Sequence, residues 1–150
     1  MTELEIIIVG AGPAGSFAGY QLAQAGYDVI ILDKATFPRY KPCGGGILAK
    51  TNQIFPIDQE WIEARFNSVE LRYKYQKPVR VSLEQDFVLM VNREEFDYQL
   101  LKLAESAGAK IYQGVEVESV QESGDSVHVI TRDGSFEGDY LIAADGARSQ

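Results

Sequence analysis

Leu4-Glu5-Ile6-Ile7-Ile8-Val9-Gly10-Ala11-Gly12-Pro13-Ala14-Gly15 is the stretch that decides the fold. A β-branched apolar run that breaks into glycine reads as a buried parallel strand. Pro13 to Ala25 then carries Phe17, Tyr20, Leu22 and Ala25 near helical spacing, with Gly26 placed to end the helix. Tyr27 to Leu32 is a second apolar run, closed by Asp33. Strand, helix and strand within about 30 residues form a βαβ unit with a right-handed crossover. Inside it, Gly10-x-Gly12-x-x-Gly15 meets the structural context that a dinucleotide fingerprint requires. Gly10 permits the tight turn, Gly12 lets a pyrophosphate approach the backbone, and Gly15 lets helix and strand pack closely. The pyrophosphate would sit on the unpaired N–H groups at the start of the helix. Asp33, 23 residues after Gly10, is placed to accept the adenosine ribose hydroxyls and to repel a 2′-phosphate. The fingerprint serves NAD and FAD alike and does not choose between them.

Further along, residues 34–46 contain two prolines and three consecutive glycines and read as a long loop. A short helix is predicted over Ile47–Phe55, stopped by Pro56, and a second over Asp58–Ala64. Alternation at Val69, Leu71, Tyr73 and Tyr75, at Val79, Val81 and Leu83, and at Phe87, Leu89 and Val91 predicts three strands of a mixed or antiparallel sheet. Arg93 to Ala107 is a helix with Phe96, Leu100, Leu103 and Ala104 on its inner stripe. Asn92 and Glu95 form a capping pair, and Gly108 terminates it. Lys110–Tyr112 is a third parallel strand. Val115–Val120, Val127–Thr131 and Ser135–Glu137 form a meander, and Tyr140–Ala143 is a last buried strand leading into Asp145-Gly146. His128, between Val127 and Val129, reads as a solvent-facing strand residue.

The composition narrows the partners. With 150 residues, 45% of them hydrophobic, one compact domain can bury a core. Twenty-two acidic against 14 basic residues give a net charge of −8, which disfavours nucleic acid and anionic lipid. Cys43 and His128 are the sole cysteine and histidine, too few for a Cys/His zinc site or an internal disulfide. The acidic start, Met1-Thr2-Glu3-Leu4-Glu5, is unlike a signal peptide, and the apolar runs fall far short of the roughly 20 residues that span a bilayer. These features predict a soluble cytoplasmic protein.

An irregular glycine-rich loop and a meander depart from the regular βα alternation of a plain NAD domain. Gly10-Ala11-Gly12-Pro13-Ala14-Gly15-Ser16, Leu32-Asp33-Lys34, Phe37-Pro38-Arg39, Lys41-Pro42-Cys43-Gly44-Gly45-Gly46, Asn92-Arg93-Glu94-Glu95-Phe96-Asp97 and Ile142-Ala143-Ala144-Asp145-Gly146-Ala147 occur in that order. Together they resemble the N-terminal half of the geranylgeranyl reductase family of FAD enzymes, whose superfamily includes aromatic hydroxylases and halogenases. The resemblance covers nearly the whole chain, is weakest between Thr51 and Leu89, and owes its family-level specificity to the proline-cysteine-glycine loop. It implies an α/β fold: a Rossmann-like βαβ FAD-binding domain with a parallel sheet, a β-meander crossover and an additional small sheet.

The resemblance also implies roles. Ala14 and Asp33, with Lys34 beside it, would meet the ADP half of FAD. Cys43, Gly44 and Gly46 would lie nearer the flavin, Val117 would meet the adenine through its backbone, and Arg93 would touch the cofactor. A positive charge in a helix's first turn opposes the macrodipole, so Arg93 is either an anion ligand or an exposed side chain tolerated at small cost. Cys43 is either a cofactor-side residue, a buried small hydrophobe or an inert surface thiol. Asp145-Gly146 is either the superfamily's second fingerprint, approaching the pyrophosphate, or a simple turn. No general acid and no metal ligand is singled out.

Members of such families are considerably longer, so the 150 residues are expected to be the N-terminal portion of an FAD-dependent oxidoreductase, without its substrate part. The resemblance implies reduction of carbon–carbon double bonds in a prenyl chain or another hydrophobic small molecule. An external reductant, NAD(P)H or a ferredoxin-like donor, would supply the electrons, and a lipid-like substrate would place the enzyme at a membrane periphery. The alternatives are an FAD-dependent monooxygenase or halogenase of the same superfamily, and a nucleotide-binding fragment with no turnover of its own. Taken alone, the chain is expected to be inactive and to self-associate through apolar surface.

Overall fold

The computed structural model describes residues 5–55 and 57–147. Met1, Thr2, Glu3 and Leu4 of the acidic start, and Pro56, lie outside the described residues. The chain runs through β1 (Glu5–Val9), α1 (Pro13–Gln24), β2 (Asp28–Asp33) and β3 (Gly46–Leu48). Next come β4 (Ala64–Phe66), β5 (Ser68–Leu71), β6 (Val79–Ser82), β7 (Val88–Met90) and α2 (Arg93–Ser106). They are followed by β8 (Lys110–Gln113), β9 (Val117–Ser123), β10 (Ser126–Thr131), β11 (Gly134–Gly138) and β12 (Tyr140–Ala143). Where composition argues for one compact domain, contacts divide the chain into two units: residues up to Arg39 with those from Asp97 onward, and Tyr40–Phe96.

The first unit is built on a four-stranded sheet in the order β12-β1-β2-β8, every pair parallel. Its two central strands are apolar between their ends, Ile6–Val9 and Val29–Leu32, because both faces are covered. Ile6, Ile8, Val29 and Ile31 cluster with Phe37, Leu101 and Ala104 on the helical face. Ile7, Ile30 and Leu32 point the other way and pack against Val129 of the antiparallel sheet β11-β10-β9. Each such side chain contributes about 1.5–3 kcal/mol by burial.

Helix α1 differs from the periodic reading. Gly15, Ser16 and Gly19 are its buried residues, while Tyr20 and Leu22 are only partly buried and Ala25 is exposed. Small residues take the inner face because the helix lies close on the sheet: a Cβ at Gly19 would run into the Ile31 side chain. Gly26 follows the helix at φ +89°, as a terminating glycine should. Strand β12 is not buried: Tyr140 and Ala143 are exposed, since β1 is its sole partner strand among the described residues.

The second unit corrects several expectations. Gly46 is not part of the loop but opens β3, pairing with Met90. The helix expected over Ile47–Phe55 is that strand followed by a 3₁₀ turn at Ala49–Gln53. The helix expected over Asp58–Ala64 is a 3₁₀ turn at Gln59–Trp61, where Asp58 accepts a hydrogen bond from the Glu60 N–H, running on toward β4. The three expected strands belong to two sheets: β5 and β6 form an antiparallel hairpin, while β7 lies between β3 and β4. Tyr73 and Tyr75 lie outside β5, in a turn where Lys74 has φ +52°. Phe55, Ile57, Leu89, Val91 and Phe96 are buried here, and Trp61 stands edge-on to Phe96 at 5.9 Å. Asn92 caps α2 by accepting from the Glu94 N–H at 3.0 Å. The helix's buried stripe contains Leu101 and Asp97 where Leu103 was expected.

Candidate dinucleotide site

Gly10 turns the chain out of β1 at φ +104°, and its N–H donates to the Leu32 carbonyl at 2.7 Å. A Cβ there would strike the Ala144 carbonyl and the Asp145 amide, so only glycine fits between the loop and the end of β12. A Cβ at Gly15 would overlap the Gly10 carbonyl oxygen. Gly12 is different. Its φ of −70° suits any residue, and apart from its chain neighbours a Cβ would meet nothing nearer among the described residues than Arg39 Nη2 at 3.8 Å. No part of the described chain needs that space, so the backbone there is open to a ligand.

The start of α1 is chemically vacant as well. Gly12 supplies no capping side chain, Pro13 has no N–H to satisfy, and no acidic residue lies in the first turn. The helix dipole and the unpaired N–H groups are therefore uncompensated by the chain itself, which suits an anion. Asp33 braces this loop. Its Oδ2 accepts from the Ala11 N–H and its Oδ1 from the Ala35 N–H, both at 2.7 Å. Each oxygen keeps a further lone pair, so the carboxylate can still accept a ribose hydroxyl.

Beside the loop lies a cavity of about 430 Å³, of a size to take a nucleoside. Gly10, Asp33, Lys34, Glu116, Val117 and Asp145 are among its lining residues. Lys34 and Glu116 approach to 3.7 Å and are both largely exposed. Gly146 follows Asp145 at φ +93°.

The structure thus brings Gly10, Asp33, Lys34, Val117 and Asp145 together around one cavity, with Gly12, Ala14 and Gly15 on the adjoining loop and first helical turn. Cys43, Gly44, Gly46 and Arg93 belong to the other unit. There Cys43 is exposed, so it is not a buried hydrophobe, and its Sγ accepts from the Gly45 N–H at 3.5 Å. A Cβ on Gly44 would meet only open space, whereas one on Gly45 would strike the Val91 carbonyl, and Gly45 has φ +73°. Gly45, not singled out from sequence, is the glycine that the loop's geometry demands. Arg93 opens α2 and is half-buried.

Sequence reasoning also missed Glu116, Arg39 and Asp97. Arg39 Nη2 pairs with Asp97 Oδ2 at 3.1 Å, and the Asp97 side chain is fully buried. Only the place of Asp97 in an apolar helical stripe, between Phe96 and Leu100, hinted that it needed a partner.

The model of the FAD binding domain family matches residues 3–150. The chain is 36% identical to the geranylgeranyl diphosphate reductase of Rhodobacter capsulatus, over 99% of this chain and 39% of that protein. It is 34% identical to the menaquinone reductase of Mycobacterium tuberculosis, over 97% of this chain and 38% of that one. Among solved structures, CmlS, a flavin-dependent halogenase, superimposes with a TM-score of 0.79 at 30% identity, covering 99% of this chain and 30% of that one. The chain therefore spans less than two-fifths of the length of the curated relatives it matches. With the fingerprint loop, the braced carboxylate and a family match over nearly its whole length, this chain belongs to the FAD binding domain family, and its cofactor is FAD.

Proposed function

We propose that the chain is the cofactor-holding part of a longer FAD-dependent oxidoreductase that reduces carbon–carbon double bonds of an isoprenoid chain. The observation that carries the reading is the open backbone at Gly12, at the uncapped start of α1, beside a cavity lined by Asp33 and Val117. In this reading the loop Gly10–Gly15 receives the diphosphate. Asp33 accepts the adenosine ribose, and Lys34, Val117 and Asp145 line the remainder of the ADP half. Cys43, Gly44, Gly46 and Arg93 serve the part of FAD nearer the flavin. When bound, FAD supplies the hydride chemistry, and the protein supplies position and electrostatics. Similarity to a geranylgeranyl diphosphate reductase supports the isoprenoid substrate. Such a substrate is lipid-like, so a cytoplasmic enzyme would meet it at a membrane surface; no helix among the described residues is long and apolar enough to cross one. NAD(P)H or a ferredoxin-like protein is the external reductant.

The likeness to CmlS favours one second reading, a halogenase or monooxygenase on the same ADP site. Two measurements test these proposals. Calorimetric titration should show FAD and ADP binding with NADP far weaker, because Asp33 and Glu116 face a 2′-phosphate as like charges; tight NAD binding with no FAD binding would overturn the cofactor assignment. Anaerobic turnover of a geranylgeranyl substrate by the longer enzyme proposed here supports the reductase. Oxygen consumption coupled to substrate modification supports the second reading, and FAD binding without either leaves a binding module.

A further inference from the structure

We infer that Arg39 is the cation that meets the ligand's diphosphate at Gly12, and that buried Asp97 is the residue that positions it; this rests on the dinucleotide reading of the loop. Four observations converge on Arg39. Among the described residues other than the chain neighbours of Gly12, its Nη2 alone comes within 4 Å of where a Gly12 Cβ would stand. Its side chain is 18% exposed, so the guanidinium is packed in place while part of it stays accessible. Phe37 lies under it, with Cζ 4.7 Å from the ring centroid, and Asp97 holds Nη2 at 3.1 Å. Its Nη1 is buried and has no hydrogen-bond partner among the described residues.

An orphaned guanidinium nitrogen is uncommon, because a buried donor without an acceptor carries its full desolvation cost. A diphosphate on the open Gly12 backbone would bring acceptor oxygens to this guanidinium, and a small shift of its plane would give both terminal nitrogens a partner. Arginine suits that task better than lysine, since its planar fork can keep one edge on a carboxylate while the other meets a phosphate. Full burial of Asp97 fits the same arrangement: a carboxylate in an apolar helical stripe is costly unless it fixes a charge somewhere useful.

Substitution of Asp97 separates a positioning role from simple electrostatics by its sign. Asp97→Asn removes a negative charge near the loop, so an unspecific field effect would tighten anion binding. If Asp97 positions Arg39, the same change weakens it. The experiment is calorimetric titration of the full chain with adenosine and with ADP, for the unaltered protein, Arg39→Met, Arg39→Lys and Asp97→Asn. Adenosine binding should stay within about twofold in every variant, which also reports that each is folded. ADP binding should weaken about tenfold or more in Arg39→Met, less in Arg39→Lys, and measurably in Asp97→Asn. Unchanged ADP affinity in an Arg39→Met protein that still binds adenosine would overturn the inference alone, as would tighter ADP binding by Asp97→Asn. Should Asp97→Asn fail to bind adenosine through misfolding, the Arg39 pair decides. Failure of the unaltered chain to bind either ligand would overturn the dinucleotide site, and the role of Arg39 with it.

Discussion

The three fingerprint glycines are not equivalent, and substitution should separate them. Gly12→Val places its side chain in space that the protein leaves open, so FAD should be lost while the melting temperature stays within a few degrees. Flavin content and a thermal melt measured on one sample check this, and normal flavin content in a folded Gly12→Val protein contradicts the placement. Gly15→Ala drives a Cβ into the Gly10 carbonyl, so it should cost about 3 kcal/mol of stability in chemical denaturation with or without ligand. Asp33→Ala should also do double damage. It releases the Ala11 and Ala35 amides, costing about 2–3 kcal/mol, as well as a ribose partner. The glycine spacing was legible in the sequence because one residue type at each position serves a local backbone need. The Arg39–Asp97 pair was not, because its members lie in a loop and a helix far apart along the chain, and nothing local to either names the other.

Strands β1, β2, β8 and β12 fall where they were expected, while the stretch between Ile47 and Phe66 does not. Strands β1 and β2 carry runs of apolar residues that only a strand covered on both faces can bury, and α2 repeats its stripe over 14 residues. Between Ile47 and Phe66 the apolar residues come in twos and threes, too few to distinguish a period of 2 from one of 3.6. There the pairing of Ile47 with Leu89 decided for strand, a contact that no local pattern announces. At this scale α2 should anchor the parallel sheet: Leu101→Ala, at a buried position against it, should cost about 2–5 kcal/mol in denaturant titration. At the sheet's edge Lys110 reaches Asp28 on β2 at 2.9 Å, and that hydrogen bond raises the ammonium pKa above its ordinary 10.5. A raised folded-state value means that the pair's contribution is complete below the unfolded value and fades as pH climbs through the folded one. The stability difference between the unaltered protein and Lys110→Met should therefore be flat from neutral pH to about 9 and shrink only above about 10.5, as paired melts across that range would show.

At the scale of the whole molecule, self-association is expected to run through the exposed apolar face of the hairpin β5–β6. Val69 faces Val81 and Leu71 faces Val79 across the ladder, and all four are exposed, with Ser68, Glu70, Arg80 and Ser82 on the opposite side. An uncovered apolar face of this kind promotes association. Leu71→Lys with Val79→Glu replaces one cross-strand apolar pair by a charged one. The double variant should scatter less light than the parent at equal concentration with little change in melting temperature; undiminished scattering would place the contact elsewhere. The sheet order carries a last consequence. Strand β1, formed from Glu5–Val9, has as one of its two neighbours β12, whose residues come more than 130 positions later. Gly10 is packed against Ala144 and Asp145, so the phosphate loop has no floor on that side until those residues have been synthesised. At cellular rates of about 5–20 residues per second, a nascent chain spends roughly 6–26 s with its fingerprint translated but unsupported. Flavin loading is therefore an event that follows completion of this segment on the ribosome, and until then β1 offers a bare apolar edge for chaperones to guard.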